Sequence, residues 1–142
     1  MGSQRILLPR HIANALLGEA RRHAPLECCG LLGGHADEVK EILPATNELA
    51  SAVAYEVTPR ELFSLFRRLR QQGLQLVGIY HSHPANDNYP SARDIERAYY
   101  PEAATVIVSP RAARPIRAFR IQEGKVGELR VETVEAGAST SL

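Results

Sequence analysis

His81 and His83 stand one residue apart at the end of the apolar run VGIYH, and Pro84 follows them. Polar side chains gathered where a core strand meets solvent are costly unless something binds them. In a strand, side chains alternate faces, so Val77, Ile79, His81 and His83 are expected on one side and Ser82 on the other. Residues two apart are separated by about 6–7 Å, a gap that two imidazoles can close on one ion at the ~2.0–2.1 Å bond length zinc prefers. Pro84 biases His83 toward extended geometry and keeps that alternation to the last residue before the chain turns. Beyond the loop ANDNYP, Ser91-Ala-Arg-Asp94 opens a helix. A third ligand from it would complete a His, His, Asp set with a fourth position for water, the arrangement of a catalytic rather than a structural zinc site. The water then needs a proton acceptor that is not itself a ligand. Within this stretch only Asp87 and Glu96 are spare. Ser91-x-x-Asp94 also has a reading without metal, since a serine N-cap with an acid three residues on satisfies free helix N–H groups. The two readings compete for Asp94, and the histidines upstream favour the metal.

Several elements must position these groups. Residues 5–8 read as a short strand, and Pro9 with Ile12, Ala15, Leu16 and Ala20 opens a helix over about 9–23. CCGLLGG (28–34) and EVKEIL (38–43) read as a hairpin around GGHAD, and Tyr55–Val57 as a further short strand. Leu62, Phe63, Leu65, Phe66 and Leu69 give the helix 59–72 one broad apolar face, with Gly73 as its stop. LQLVGIYH (74–81) is apolar on both parities, as a strand covered on both faces should be. A helix is expected over 91–100 and strands at 105–109, 115–121 and 125–134. This order suggests a mixed sheet flanked by helices, with an antiparallel C-terminal portion.

His81-Ser82-His83-Pro84 with Ser91-x-x-Asp94 resembles the JAMM motif of the MPN (Mov34/PAD-1) zinc metalloprotease family, and Pro25-Leu26-Glu27-Cys28-Cys29-Gly30-Leu31-Leu32-Gly33-Gly34 resembles its upstream glutamate segment. The resemblance is to the small prokaryotic members. It implies the family's cytidine-deaminase-like α/β fold, a mixed β-sheet flanked by helices. It also implies one zinc ion held by His81, His83 and Asp94 with a water in the fourth position. Glu27 would be the proton shuttle and Ser91 the group that helps stabilise the oxyanion. The implied reaction is peptide or isopeptide hydrolysis, in several such members after the C-terminal glycine of a ubiquitin-like or sulfur-carrier protein. Two alternatives stand beside it. One is a non-catalytic MPN-type scaffold, although scaffolds typically lose ligands and all five positions are intact here. The other is a RadC-like, DNA-repair-associated protein, whose similar run also matches Pro90-Ser91; the Glu27-Cys-Cys-Gly segment favours the peptidase branch.

The whole chain bounds these readings. Its 142 residues suit one domain, expected over 1–134 with a flexible tail at 135–142. Seventeen basic residues against sixteen acidic ones leave a net charge of +1, which offers no general field for nucleic acid or an anionic membrane. No apolar run approaches the ~20 residues of a membrane span, and MGSQRILLPR lacks a signal peptide's apolar segment, so a cytoplasmic protein is expected. Adjacent Cys28 and Cys29 form no zinc knuckle and are expected as small core residues. His11, His23 and His35 are expected at the surface, Arg111, Arg114, Arg117 and Arg120 on a solvated face, and Gly78 at a close backbone approach. The His-Glu-x-x-His helix and the Pro-Cys-x-x-Cys element of nucleobase deaminases are absent.

Overall fold

Periodicity sorts the chain into seven strands and three helices among residues 4–85 and 87–135, those described in the computed structural model. In chain order these are β1 (Arg5–Pro9), α1 (Arg10–His23), β2 (Cys29–His35), β3 (Glu38–Ala45), α2 (Pro59–Gln71), β4 (Gln75–Ser82), α3 (Ala92–Glu96), β5 (Ala104–Val108), β6 (Ile116–Gln122) and β7 (Lys125–Val134). The tail expected at the C-terminus falls, from residue 136 on, outside the described residues. No helix among them is long and apolar enough to cross a membrane.

The strands join in the order β1-β3-β2-β4-β5-β6-β7, and β7 pairs back onto β1 to close the sheet. The expected antiparallel C-terminal portion is β5-β6-β7. Parallel pairing enters at β4 with β5 and at β1 with β7. Position in this order explains the double apolar parity of β4: it lies between β2 and β5 with both faces covered. On one side, Ile12, Leu16 and Ala20 of α1 pack with Leu8, Leu32, Tyr80 and Val106. On the other, Leu65 and Leu69 of α2 pack on Leu31 and Leu43, with Ile79 beside them. Each such fully buried leucine contributes about 1.5–3 kcal/mol.

Four local expectations need correction. Val77 does not share a face with Ile79 and His81: Leu32 pairs with Gly78 and Gly33 with Leu76, so Val77 is the extra residue of a bulge and turns into the α1 core. Phe63 is 64% exposed, because Leu62, Leu65, Phe66 and Leu69 already fill the arc of α2 that meets the sheet. Tyr55–Val57 is not a strand, since no sheet edge receives it. The helix expected over 91–100 stops at Glu96: beyond Arg97, the Ala98 and Tyr99 N–H groups turn to the Ile95 and Arg97 carbonyls instead of continuing the ladder.

The helix ends follow their local chemistry. Thr58 caps α2 by accepting from Glu61 N–H, Pro59 occupies its first turn, and Gly73 adopts φ 70° just beyond it. Gly78, as expected, lies where a side chain would approach the Ala104 carbonyl, at 3.2 Å from a Cβ.

Gly30, the second residue of β2, which runs between β3 and β4, leaves no room for a side chain. A Cβ there would lie 2.5 Å from the Leu43 carbonyl oxygen and 2.5 Å from the Tyr80 ring. Gly30→Ala is therefore expected to cost about 2 kcal/mol or more and to lower Tm by several degrees, as read by thermal denaturation.

Candidate metal centre

The strand carries one residue beyond its last formal position. His83 N–H donates to the Val108 carbonyl at 2.9 Å, and its own carbonyl accepts from Ser109 Oγ at 3.0 Å. This holds His83 extended, so its ring and that of His81 emerge on one side. Their Nε2 atoms stand 3.2 Å apart. Asp94 reaches both: Oδ1 lies 3.2 Å from His81 Nε2, and Oδ2 lies 3.1 Å from His83 Nε2. Three ligand atoms around a tetrahedral ion with bonds of ~2.0–2.1 Å would stand about 3.3–3.4 Å apart. The separation of the two imidazole nitrogens is close to that edge length, and each stands about as far from one of the two carboxylate oxygens. Two imidazole nitrogens and a carboxylate oxygen also form a donor set that suits zinc. Among the described residues, His81, His83 and Asp94 form a cluster capable of holding a metal ion.

Asp94 also completes the helix cap. Ser91 N–H donates to Oδ2 at 2.8 Å, and Asp94 N–H donates to Ser91 Oγ at 3.1 Å. The capping and metal readings of Ser91-x-x-Asp94 therefore do not compete. The cap fixes the carboxylate in the rotamer that faces the imidazoles.

The rings are oriented differently. His83 Nδ1 donates to the Asp87 carbonyl at 2.8 Å, which leaves Nε2 as the nitrogen that faces Asp94 and His81. His81 Nδ1 is buried with no hydrogen-bond partner among the described residues. Its ring instead stacks on Tyr55, with centroids 4.7 Å apart and planes inclined by 25°.

Burial and pairing set the charges. Burial favours the neutral form of Asp94, but its hydrogen bonds with His81 and His83 outweigh that and hold the carboxyl well below its ordinary range. Burial pushes His81 down, against the pull of Asp94. Burial also opposes charge on His83, yet its contacts with Asp94 and the Asp87 carbonyl raise it overall.

Glu27 arrives from the neighbouring strand by register. Cys29 of β2 faces His81 of β4 in an antiparallel pair, so two residues back along one and two forward along the other sets Glu27 opposite His83. Ser82 locks this junction: its Oγ accepts from Cys28 N–H at 2.8 Å and its N–H donates to the Cys28 carbonyl at 3.1 Å. Glu27 is 4% exposed, and its Oε1 has no hydrogen-bond partner among the described residues. Burial pushes its carboxyl up to about 7; His83 lowers it and Asp94 raises it by smaller amounts.

Sequence reasoning missed Asn47 and misread Tyr55. Asn47 Nδ2 donates to the carbonyls of Glu27 and Ala54, and its Oδ1 accepts from Leu49 and Glu56 N–H. One side chain thus ties the acid's backbone to the loop carrying Tyr55. Residues 46–54 show neither helical nor strand periodicity, so nothing local marked Asn47. A groove of about 260 Å³ opens beside the cluster, lined by His81, Asp94, Tyr55, Leu62, Ile79 and Arg93 among others.

The remaining residues fall as follows. Ser91, Asp87 and Glu96 are exposed; Cys28 and Cys29 are buried free thiols; His11, His23 and His35 are at the surface. Arg117 corrects an expectation: its side chain is only 14% exposed, lies 5.1 Å from the Phe119 ring centroid, and bonds Glu128. Its guanidinium lies over that ring and is paired with Glu128, so it does not belong to a freely solvated face.

A closed mixed sheet with flanking helices and a His-His-Asp cluster at a strand end defines a JAMM/MPN-like, zinc-protease-like fold. The profile of the prokaryotic homologs of the JAB domain matches residues 9–122, and the chain belongs to that family. It is 34% identical over 134 residues to a CysO-cysteine peptidase of Mycobacterium tuberculosis, covering 92% of each chain. It is 39% identical over 117 residues to a desampylase of Haloferax volcanii, covering 78% of this chain and 84% of that protein. A solution structure from Desulfitobacterium hafniense superposes with a TM-score of 0.81 at 31% identity, over 92% of this chain and 93% of the other. A JAB1/MPN domain protein from Archaeoglobus fulgidus shares the fold, with a TM-score of 0.63 at 21% identity, over 92% and 100%.

Two measurements test this geometry. Tyr55→Leu removes the stack and should weaken zinc binding about 2- to 10-fold in a chelator competition, while Tyr55→Phe keeps it near wild type. The raised Glu27 carboxyl makes the metal-free protein lose stability as pH rises from 4.5 toward 7, because the native state must give up a proton it holds more tightly than the unfolded chain does. Urea titrations with chelator should show Glu27→Gln level with wild type near pH 4.5 and more stable by about 1–3 kcal/mol at pH 8.

Proposed function

We propose that this chain is a metal-dependent hydrolase, a single catalytic domain over residues 1–134 that cleaves after the C-terminal glycine of a ubiquitin-like or sulfur-carrier protein. The observation that carries this reading is the convergence of His81, His83 and Asp94, one ligand atom of each within 4.8 Å of the others, beside Glu27, whose buried Oε1 has no hydrogen-bond partner among the described residues. Similarity to a CysO-cysteine peptidase and a desampylase supports the substrate class.

His81, His83 and Asp94 would hold one zinc ion. When bound, zinc supplies a water acidified to a pKa near ~7 and a Lewis acid for the scissile carbonyl. Glu27 is suited to the proton transfers: burial brings its carboxyl to about 7, where it can both accept and return a proton near neutrality. It takes a proton from the attacking water and passes it to the leaving nitrogen. Ser91 Oγ already accepts from Asp94 N–H, which leaves its own hydroxyl proton to donate to the developing oxyanion. The groove beside the cluster would take the extended tail, with Leu62 and Ile79 supplying apolar wall. A reducing, cytoplasmic setting accords with two buried cysteines kept as free thiols.

The test separates holding metal from turnover. Glu27→Gln is expected to keep stoichiometric zinc and to lose at least about 100-fold in cleavage of a carrier protein extended past Gly-Gly. His83→Ala is expected to lose both. Zinc is read by atomic absorption and trimming by mass spectrometry; undiminished cleavage by Glu27→Gln would remove it from the mechanism.

A further inference from the structure

His83 is held from two directions. Its main chain is fixed by Val108 and by Ser109, whose own N–H donates to the Pro115 carbonyl at 2.8 Å. At Nδ1 its ring is fixed by the hydrogen bond to the Asp87 carbonyl. That carbonyl belongs to the loop joining β4 to α3, not to a strand or helix whose ladder would hold it in place. A loop carbonyl can orient a ligating imidazole only if something orients the loop. Between Pro84 and Ser91, Asn88 is the one buried polar side chain among the described residues, 1% exposed. Its Nδ2 donates to the Arg114 carbonyl at 2.7 Å, and its N–H donates to Asp87 Oδ1 at 2.9 Å. Arg114 and Pro115 lead directly into β6. One dipeptide therefore anchors both grips on His83, through Ser109 for the main chain and through Asn88 for the loop that holds the ring.

Two other contacts tie this loop to β6. Asp87 Oδ2 stands 3.8 Å from the Arg117 guanidinium, and the Tyr89 ring meets Phe119 edge-on with centroids 5.3 Å apart. Both involve exposed residues of the loop, and solvent screening leaves the Asp87 pair little strength. The Asn88 amide is different. Withdrawn from water, it costs free energy unless it is bonded, and its bond to a backbone carbonyl is directional. An apolar side chain would fill the same space without that cost, so packing alone does not account for an amide at this position.

We infer that Asn88 is a positioning residue for the metal centre: by binding the Arg114 carbonyl it holds the Asp87 carbonyl against His83 Nδ1, and so keeps His83 Nε2 turned toward His81 and Asp94. Asn88 hydrogen-bonds none of the three cluster residues itself and exchanges no proton. The inference rests on the metal reading of the cluster given above and carries it to a residue outside the metal-binding pattern. Outer partners of a ligating imidazole change metal affinity by about 10- to 100-fold when they are removed.

The test uses the full-length protein and zinc alone. Chelator competition should give Asn88→Asp, matched in shape but without the N–H donor, and Asn88→Ala a zinc Kd about 10- to 100-fold weaker than wild type. Arg117→Gln, which removes the surface ion pair with Asp87, should stay within about 2-fold of wild type. In nitrogen-15 labelled, zinc-loaded protein, the His83 Nδ1 proton should exchange with water at least about 10-fold faster in Asn88→Ala, while the His83 main-chain N–H keeps its wild-type rate. Unchanged zinc affinity in the Asn88 variants would overturn the inference and leave the metal reading intact. An equal loss in Arg117→Gln would place the anchor at the ion pair and overturn it too. Faster exchange at ring and main chain alike would reduce Asn88 to general support of the strand end, which is a third way for the inference to fail. If Asn88→Asp does not fold, Asn88→Ala and its ring exchange decide the matter. Failure of wild type to bind zinc would overturn the metal reading and this inference with it.

Discussion

The carboxylate of Asp94 is the constraint on which the site depends. One oxygen meets His81, while the other meets His83 and the Ser91 N–H. These contacts are mutually reinforcing. The capping box removes the rotamer freedom that a carboxylate in a loop would retain, and the imidazoles stabilise its charge against burial. A five-residue helix is too short to persist by propagation alone. Its cap and its contacts with the histidines supply what length does not. The short helix and the cluster therefore form together.

The rest of the fold delivers partners to that carboxylate. β4 carries two imidazoles to the sheet's end, and the hydrogen bonds of His83 with Val108 and Ser109 prolong the strand by one residue. β2 brings Glu27 opposite His83 through antiparallel register, which Ser82 clamps to the Cys28 backbone. Asn47 then gathers the Glu27 carbonyl and the loop of Tyr55 into one hydrogen-bonded unit. Replacing any of these anchors would shift a side chain by the fraction of an ångström that decides coordination and proton transfer.

The two carboxylic acids of the site illustrate how environment divides their roles. Asp94 is paired on both oxygens and held ionised, the state in which a carboxylate would hold a metal. Glu27, one strand away, is buried with an unpartnered oxygen and is brought to about 7. Residues of similar chemistry thus diverge in acidity, and the proposed assignment of ligand and proton shuttle follows that divergence.

Much of this was legible along the chain. His-x-His-Pro and Ser-x-x-Asp are short-range patterns, and their chemistry depends on alternation and capping that neighbouring residues determine. Glu27 came only through the resemblance of its segment, because a lone acid beside a proline carries no local mark. Apolar periodicity placed most strands and helices within a residue or two. It could not reveal the bulge at Val77, which exists only through pairing with β2, or the exposure of Phe63, which depends on how much of α2 the sheet can cover. It also assigned Tyr55 to a strand. By itself, then, the sequence determined the ligand types, the cap and the element order, all governed by interactions across a few residues. Tertiary structure alone decided that the capping carboxylate is also the one that meets both imidazoles, and that Tyr55 backs His81. Those depend on which distant segments share space, and no spacing within one segment encodes that.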